Sequence, residues 1–164
     1  MSASDALNPF NGWDDSPPVC VDDVLRRWTR TLDGESPWSE MPRDDRHGMM
    51  RPLLSELLNE ARDIDHDQRQ RRLVTAAYDH GAFRSAQRCS ESQLVAELAS
   101  VRDAVRCALL RAGMGPLIVH ETLSALEREI GLAERAAVRG WYRGTLRRKT
   151  IGVSWFEKLL EELE

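Results

Sequence analysis

The apolar residues of this chain recur at alternating steps of four and three residues in two successive segments. The first segment contains Leu94, Leu98, Val101, Val105 and Ala108, and the second contains Val119, Leu123, Leu126, Ile130, Ala133 and Ala137. This spacing places each set on one face of an α-helix. Gly115-Pro116 between them marks a turn, with proline at a permitted first helical position. The two helices are therefore expected to pack antiparallel in a helical bundle.

The same periodicity predicts helices along most of the remaining chain. They cover about residues 21–32, 44–62, 66–88, 90–113, 116–149 and a terminal stretch from 150. We expect Pro52 to start or kink the second helix, and Ser90 with Gln93 to form a capping box before the fourth. No stretch alternates like a β-strand. The predicted fold is all-α, an antiparallel bundle of about five helices plus a C-terminal amphipathic helix.

The domain boundaries follow from turn signals and from this terminal helix. Residues 1–18 combine proline, asparagine and glycine and are predicted to be a flexible arm. Residues 19–149 form the predicted bundle domain, and residues 150–164 form an amphipathic helix that either docks on the bundle or binds a partner.

Composition excludes several classes of protein. Hydrophobic residues make up 41% and charged residues 30% of the 164 residues, as in a globular domain. The net charge of −4, with arginine interspersed among acidic residues, argues against a nucleic-acid partner. No apolar run suits membrane insertion, and the N-terminus lacks the pattern of a signal peptide. Three cysteines at unrelated spacings predict neither disulfides nor a zinc site. We therefore expect a cytoplasmic location.

A polar cluster is predicted in the hairpin between the third and fourth helices. His80 and Arg84 are four residues apart and share a helix face. If the chain turns near Cys89, Arg84 faces Glu97, and His80 faces Val101 or Arg102. An enclosed arginine–carboxylate pair would fix the register of the two helices. The alternative is that His80, Arg84, Glu97 and Arg102 sense a ligand.

This hairpin carries a resemblance to a known family. It reads H-x-x-x-R from His80 to Arg84, followed by L-x-x-E-x-x-x-x-R from Leu94 to Arg102. Together with the motif P-L-L-x-x-L from Pro52 to Leu57, this pattern resembles the RsbRD-type N-terminal domain over about residues 21–146. Such domains occur on stressosome co-antagonists and sensor histidine kinases. The resemblance implies a bacterial helical sensory or interaction module without catalytic activity, here apparently stand-alone.

Two surfaces near the C-terminus are candidates for binding. The terminal stretch has an apolar stripe, the first candidate for a partner contact, made of Trp155, Phe156, Leu159, Leu160 and Leu163. Arg143, Arg147 and Arg148 form a basic cluster before it. Their favourable interaction with a helix C-terminus explains this cluster, and the alternative is binding of an anion.

Common catalytic and cofactor-binding motifs are absent from the sequence. The sequence has no phosphate-binding glycine loop, no H-E-x-x-H, no C-x-x-C and no G-x-S-x-G. We expect no enzyme activity, no cofactor and no metal. The predicted function is a signalling module that binds another signalling protein, or its own copy, through helix faces. The alternative is a small-molecule or cofactor sensor with a pocket near His80, Arg84 and His120.

Overall fold

The computed structural model describes residues 19–33, 38, 41–58 and 65–161, with the backbone alone for residues 43 and 151–161. These ranges contain helices and no strand, which confirms the predicted all-α bundle. The helices are α1 (Val21–Leu32), α2 (Arg43–His47), α3 (Met50–Leu57), α4 (His66–Ala86), α5 (Glu91–Arg111) and α6 (Pro116–Glu161). No described helix is long and apolar enough to cross a membrane.

Helices α5 and α6 run antiparallel, as their sequence spacing predicted. Near one end the Tyr142 hydroxyl donates to a carboxylate oxygen of Glu91 at 2.6 Å, and farther along Arg102 pairs with Glu127 at 2.7 Å. The apolar positions of both helices lie in one buried core, with Ile130 partly buried at its edge. Helix α1 packs on the other side of α5, and α3 packs on α4.

Helices α4 and α6 run parallel and pack more extensively than any other pair. Their contact depends on residues without large side chains. A Cβ built on Gly81 of α4 would lie 1.8 Å from the carbonyl oxygen of Ala137, and one built on Gly140 of α6 would lie 2.0 Å from that of Tyr78. Only glycine lets the two backbones approach so closely.

The predicted second helix is two helices, and the break does not lie at Pro52. Helix α2 ends at His47, where Gly48 adopts a φ of 34°. A left-handed φ suits glycine, and a Cβ there would lie 2.3 Å from Phe83 Cε1. Pro52 occupies the first turn of α3, where its missing N–H costs no helical hydrogen bond. Pro52 thus lies at the start of a helix, as expected, but the interruption of the predicted helix is at Gly48.

The ends of α4 and α5 are defined by capping interactions. Asp65 accepts a hydrogen bond from the Gln68 N–H before α4, and the predicted capping box of Ser90 and Gln93 precedes α5. After α4, the Cys89 N–H reaches the Arg84 carbonyl and the Arg88 N–H reaches the Ser85 carbonyl. This is a Schellman motif, with Arg88 in the left-handed region at a φ of 61°.

The predicted boundary near residue 150 does not interrupt the backbone. Helix α6 continues from Pro116 to Glu161, 46 residues without a break. At 1.5 Å per residue it is about 69 Å long, roughly twice the length of α4 or α5. The structure therefore has no separate C-terminal helix over the described residues.

Candidate functional site

Arg84 of α4 and Glu97 of α5 form the predicted ion pair in the interior of the bundle. Arg84 Nη2 lies 2.6 Å from Glu97 Oε1, and Arg84 Nε lies 3.0 and 3.1 Å from the two carboxylate oxygens. Both side chains are fully buried, with 0% exposed surface. Charge-assisted hydrogen bonds of this kind are strong when both partners are desolvated together.

The remaining N–H groups of Arg84 hold α2 against α4. Nη1 donates to the Asp45 carbonyl at 2.8 Å and to Gln87 Oε1 at 2.6 Å, and Nη2 also donates to the Arg46 carbonyl. All five guanidinium N–H groups therefore have an acceptor. The guanidinium carbon lies 4.7 Å from the centroid of the Trp38 ring, a cation–π distance.

His80 lies against the same carboxylate. Its Nε2 is 3.4 Å from Glu97 Oε2, while neither ring nitrogen makes a hydrogen bond and the side chain is fully buried. That His80 also faces Val101 stays a prediction. The Glu97 carboxylate meets two successive turns of α4, because both of its oxygens contact Arg84 and Oε2 also lies beside His80.

Arg102 does not belong to this cluster. Its side chain is exposed and pairs with Glu127 of α6 at 2.7 Å. Arg102 follows Glu97 by five residues, which is about 140° around the helix at 3.6 residues per turn. The buried charge cluster therefore consists of His80, Arg84 and Glu97.

Two tryptophans donate hydrogen bonds to backbone carbonyls in and near this buried charge cluster, and the sequence had not singled out these bonds. Trp28 of α1 is fully buried, and its Nε1 donates to the carbonyl of Glu97 at 3.3 Å. Trp141 of α6 donates in the same way to the carbonyl of Cys89 at 2.7 Å. A buried indole N–H needs a hydrogen-bond acceptor, and this need was the one indication of these contacts in the sequence.

Cys89 lies beside the cluster with its side chain buried. Burial raises the pKa of the Cys89 thiol, and the positive charge of Arg84 offsets only part of that effect. The thiol is therefore held in its neutral form. His80, Arg84 and Glu97 have no exposed surface. The cluster therefore holds α2, α4 and α5 together inside the bundle.

The pocket proposed near His80, Arg84 and His120 is not formed by these residues. His80 is next to Gly81, which lies against Ala137 of α6. His120 is seventeen residues earlier on that helix, about 25 Å along its axis, and its side chain is exposed. Among the side chains that the structure describes, no group of three or more His, Cys, Asp or Glu could hold a metal ion.

The three arginines of the predicted basic cluster have different surroundings. Arg148 Nη2 donates to Ser85 Oγ at 3.0 Å and to Thr145 Oγ1 at 3.3 Å, so it helps to attach α6 to α4. Arg143 and Arg147 are exposed beside Leu146. All three arginines are exposed to solvent, and Arg148 is the one that also bonds to α4.

The apolar stripe of the terminal stretch lies on the continuous helix α6 up to Glu161. The side chains of Trp155, Phe156, Leu159 and Leu160 are outside the described part of the structure, and Leu163 lies outside the described residues altogether. Just before them, Tyr142 is 49% exposed and Leu146 is 62% exposed. Leu146 was not predicted as a binding residue, because it lies outside the apolar faces predicted for the fifth helix and for the terminal stretch.

Comparison of the chain with protein-family models, with curated proteins and with solved structures gave no match.

Proposed function

We propose that this chain is a non-catalytic signalling module that binds another protein through the end of α6. We name residues 142–161 the distal helix. The proposal keeps the expectation drawn from the apolar stripe and from the resemblance to RsbRD-type domains, which are themselves sensory and interaction modules.

The observation that carries the proposal is the length of α6 relative to its neighbours. Helix α4 ends at Ala86, directly after Ser85, which lies beside Gly144, and α5 begins at Glu91, which contacts Tyr142. Residues 149–161 therefore continue past the ends of both helices, over about 20 Å of axis. A helix that carries apolar residues beyond its own bundle has a surface to offer to another protein.

The buried charge cluster supports the same proposal in a different way. All five N–H groups of Arg84 are used and Glu97 is enclosed, so these polar residues are committed to holding the helices together. A rigid bundle is a suitable support for a projecting binding helix, because little conformational entropy is lost in the bundle on binding.

Two matched leucines on α6 allow a direct test. Leu146, 62% exposed, lies on the distal helix, whereas Leu117, 69% exposed, lies at the opposite end of α6. Tagged wild-type protein, Leu146→Glu and Leu117→Glu are used to recover partners from native cells, with quantitative mass spectrometry. We expect Leu146→Glu to lose the partner that wild type and Leu117→Glu both retain.

A second variant pair examines the predicted stripe itself. Phe156→Asp with Leu160→Asp should abolish partner recovery while the circular dichroism melting curve of the bundle stays unchanged. Unfolding of the whole chain would instead mean that the stripe docks on its own bundle. Equal recovery by wild type and by all variants would contradict the proposal.

A further inference from the structure

We infer that the distal helix pairs with the distal helix of a second copy of this chain, and that the two helices run antiparallel. This inference rests on the proposed function and specifies its partner. It is carried by the charges along the distal helix, by the spacing of its apolar residues and by the exposure of its described part.

The charges of the distal helix are divided between its two ends. Arg143, Arg147 and Lys149 lie toward its start, and all three side chains are exposed. Glu157 and Glu161 lie in the last third, and two more glutamates follow at positions 162 and 164. Lys158 is the one basic residue among them. The helix is therefore basic where it leaves the bundle and acidic at its far end.

This division decides between the two possible orientations of a symmetric pair. In a parallel pair, each basic end would lie beside the other basic end, and each acidic end beside the other acidic end. In an antiparallel pair, each basic end meets an acidic end, and the twofold axis repeats the favourable contact. Electrostatic complementarity of this kind favours the antiparallel orientation.

The apolar residues have the spacing of a helix–helix seam. Tyr142, Leu146, Val153, Phe156 and Leu160 are separated by four, seven, three and four residues. These steps follow a heptad repeat, with Lys149 at the remaining seam position. The two members within the described side chains, Tyr142 and Leu146, are exposed and thus accessible to a partner.

The apolar residues and the charged residues place the twofold axis of the pair within one residue of each other. Pairing Leu146 with Phe156 of the partner subunit, or Tyr142 with Leu160 of the partner subunit, places the twofold axis at residue 151. Arg143 and Glu157 each directly follow a seam residue and flank the seam on the same side. Pairing Arg143 with Glu157 of the partner subunit places the axis at residue 150. The two positions of the axis differ by one residue.

Charge reversal in the full-length chain tests the pairing. Sedimentation equilibrium should show a dimer for wild type, and Arg143→Glu or Glu157→Arg alone should raise the dimer dissociation constant at least about tenfold. Mixing the two variants should restore dimers, because each glutamate at the interface then faces an arginine. The matched control is Arg139→Glu, an exposed arginine before the distal helix, which should leave the dissociation constant within about twofold of wild type.

Disulfide trapping tests the orientation. The exposed Cys20 and Cys107 are first replaced by serine, while the buried Cys89 is kept. In this background Leu146→Cys and Phe156→Cys should form a disulfide with each other when mixed, and neither should link to itself. Self-linking of each variant would show a parallel pair and overturn the inference. So would a wild-type chain that stays monomeric at its highest soluble concentration.

The two proposals fail separately. A monomeric wild type whose partner recovery still depends on Leu146 overturns only the self-pairing and leaves the interaction module in place. A dimer that persists in Leu146→Glu but not in Leu117→Glu overturns both, because the contact would then lie at the other end of α6.

Discussion

The buried charge cluster and the distal helix contain the same kinds of residue in opposite surroundings. In the cluster, Arg84 and Glu97 are fully buried and paired within the chain. On the distal helix, Arg143 and Arg147 are exposed, and residues 149–161 extend past the ends of α4 and α5. Burial commits the first pair to contacts between helices of the same chain, whereas exposure leaves the second set available for association. Charge alone therefore does not identify a binding surface, because its surroundings decide its use.

Helix α6 shows the same contrast within a single element. Its proximal part carries small residues, Ala137 and Gly140, where it meets α4. Its distal part carries Tyr142 and Leu146, which are large and exposed. Small residues permit close packing of backbones inside the bundle, and large apolar residues supply area for a contact between chains.

The largest effect is expected from breaking the buried charge cluster. Arg84→Met leaves the Glu97 carboxylate buried without its main partner and should lower the free energy of unfolding by about 3–5 kcal/mol. Adding Glu97→Leu to this variant should recover part of the loss, because no unpaired charge remains. Urea denaturation followed by circular dichroism gives the coupling energy of the double-mutant cycle. Additive effects would show that the pair is not coupled.

A matched pair of leucines on α6 separates its two parts. Leu126 has 0% exposed surface, and Leu126→Ala should cost about 2–5 kcal/mol through lost burial and a cavity. Leu146→Ala should change the free energy of unfolding by less than about 0.5 kcal/mol. Both are measured by urea denaturation at sub-micromolar concentration, where self-association contributes little. A large cost at Leu146 would mean that the distal helix packs on its own bundle.

Two glycines of α6 test the close approach to α4. Gly140→Ala should destabilise by about 1–3 kcal/mol, because the added Cβ would meet the Tyr78 carbonyl. At Gly131 an added Cβ has its nearest neighbour, Arg135 Nη1, at 3.6 Å. Gly131→Ala should therefore stabilise by about 0.5–1 kcal/mol through helix propensity. Thermal melting of both variants would detect opposite shifts, and shifts of the same sign would refute the close contact.

The smallest expected effect concerns the turn between α4 and α5. Arg88 has a φ of 61°, a strained conformation for a residue with a Cβ. Arg88→Gly should stabilise the chain by about 0.5–1 kcal/mol after the greater entropy of glycine in the unfolded state is included. Gly113 occupies the equivalent position after α5, at a φ of 78°, so Gly113→Ala should destabilise by about 1 kcal/mol. Unchanged melting of Arg88→Gly would mean that the turn relaxes without cost.

Local features of the fold were predictable from sequence. The bounds of α1 and the capping box of α5 agree with the structure, because periodicity and capping depend on residues within one or two turns. The pairing of Arg84 with Glu97 was predictable for a related reason: the two residues flank a short hairpin, so few alternative partners exist.

Features that depend on distant residues were missed. The break at Gly48 was not predicted, although glycine commonly ends helices, and the contact of this glycine with the Phe83 ring joins residues far apart in sequence. The parallel packing of α4 and α6 relies on Gly81 and Gly140, and glycine contributes nothing to an apolar periodicity. The helices predicted on either side of residue 150 are one helix because, among the described residues of α6, none with a left-handed backbone interrupts it.

The helical character of the chain, the starts of most helices and the arginine–glutamate pair between α4 and α5 were all predictable from the pattern of residues. Packing revealed three further features: His80 shares Glu97, Arg102 faces solvent, and α6 continues past both its neighbours. Periodicity records which side of a helix is apolar. Which partner meets that side, and where the partner ends, depends on the approach of segments that are remote along the chain.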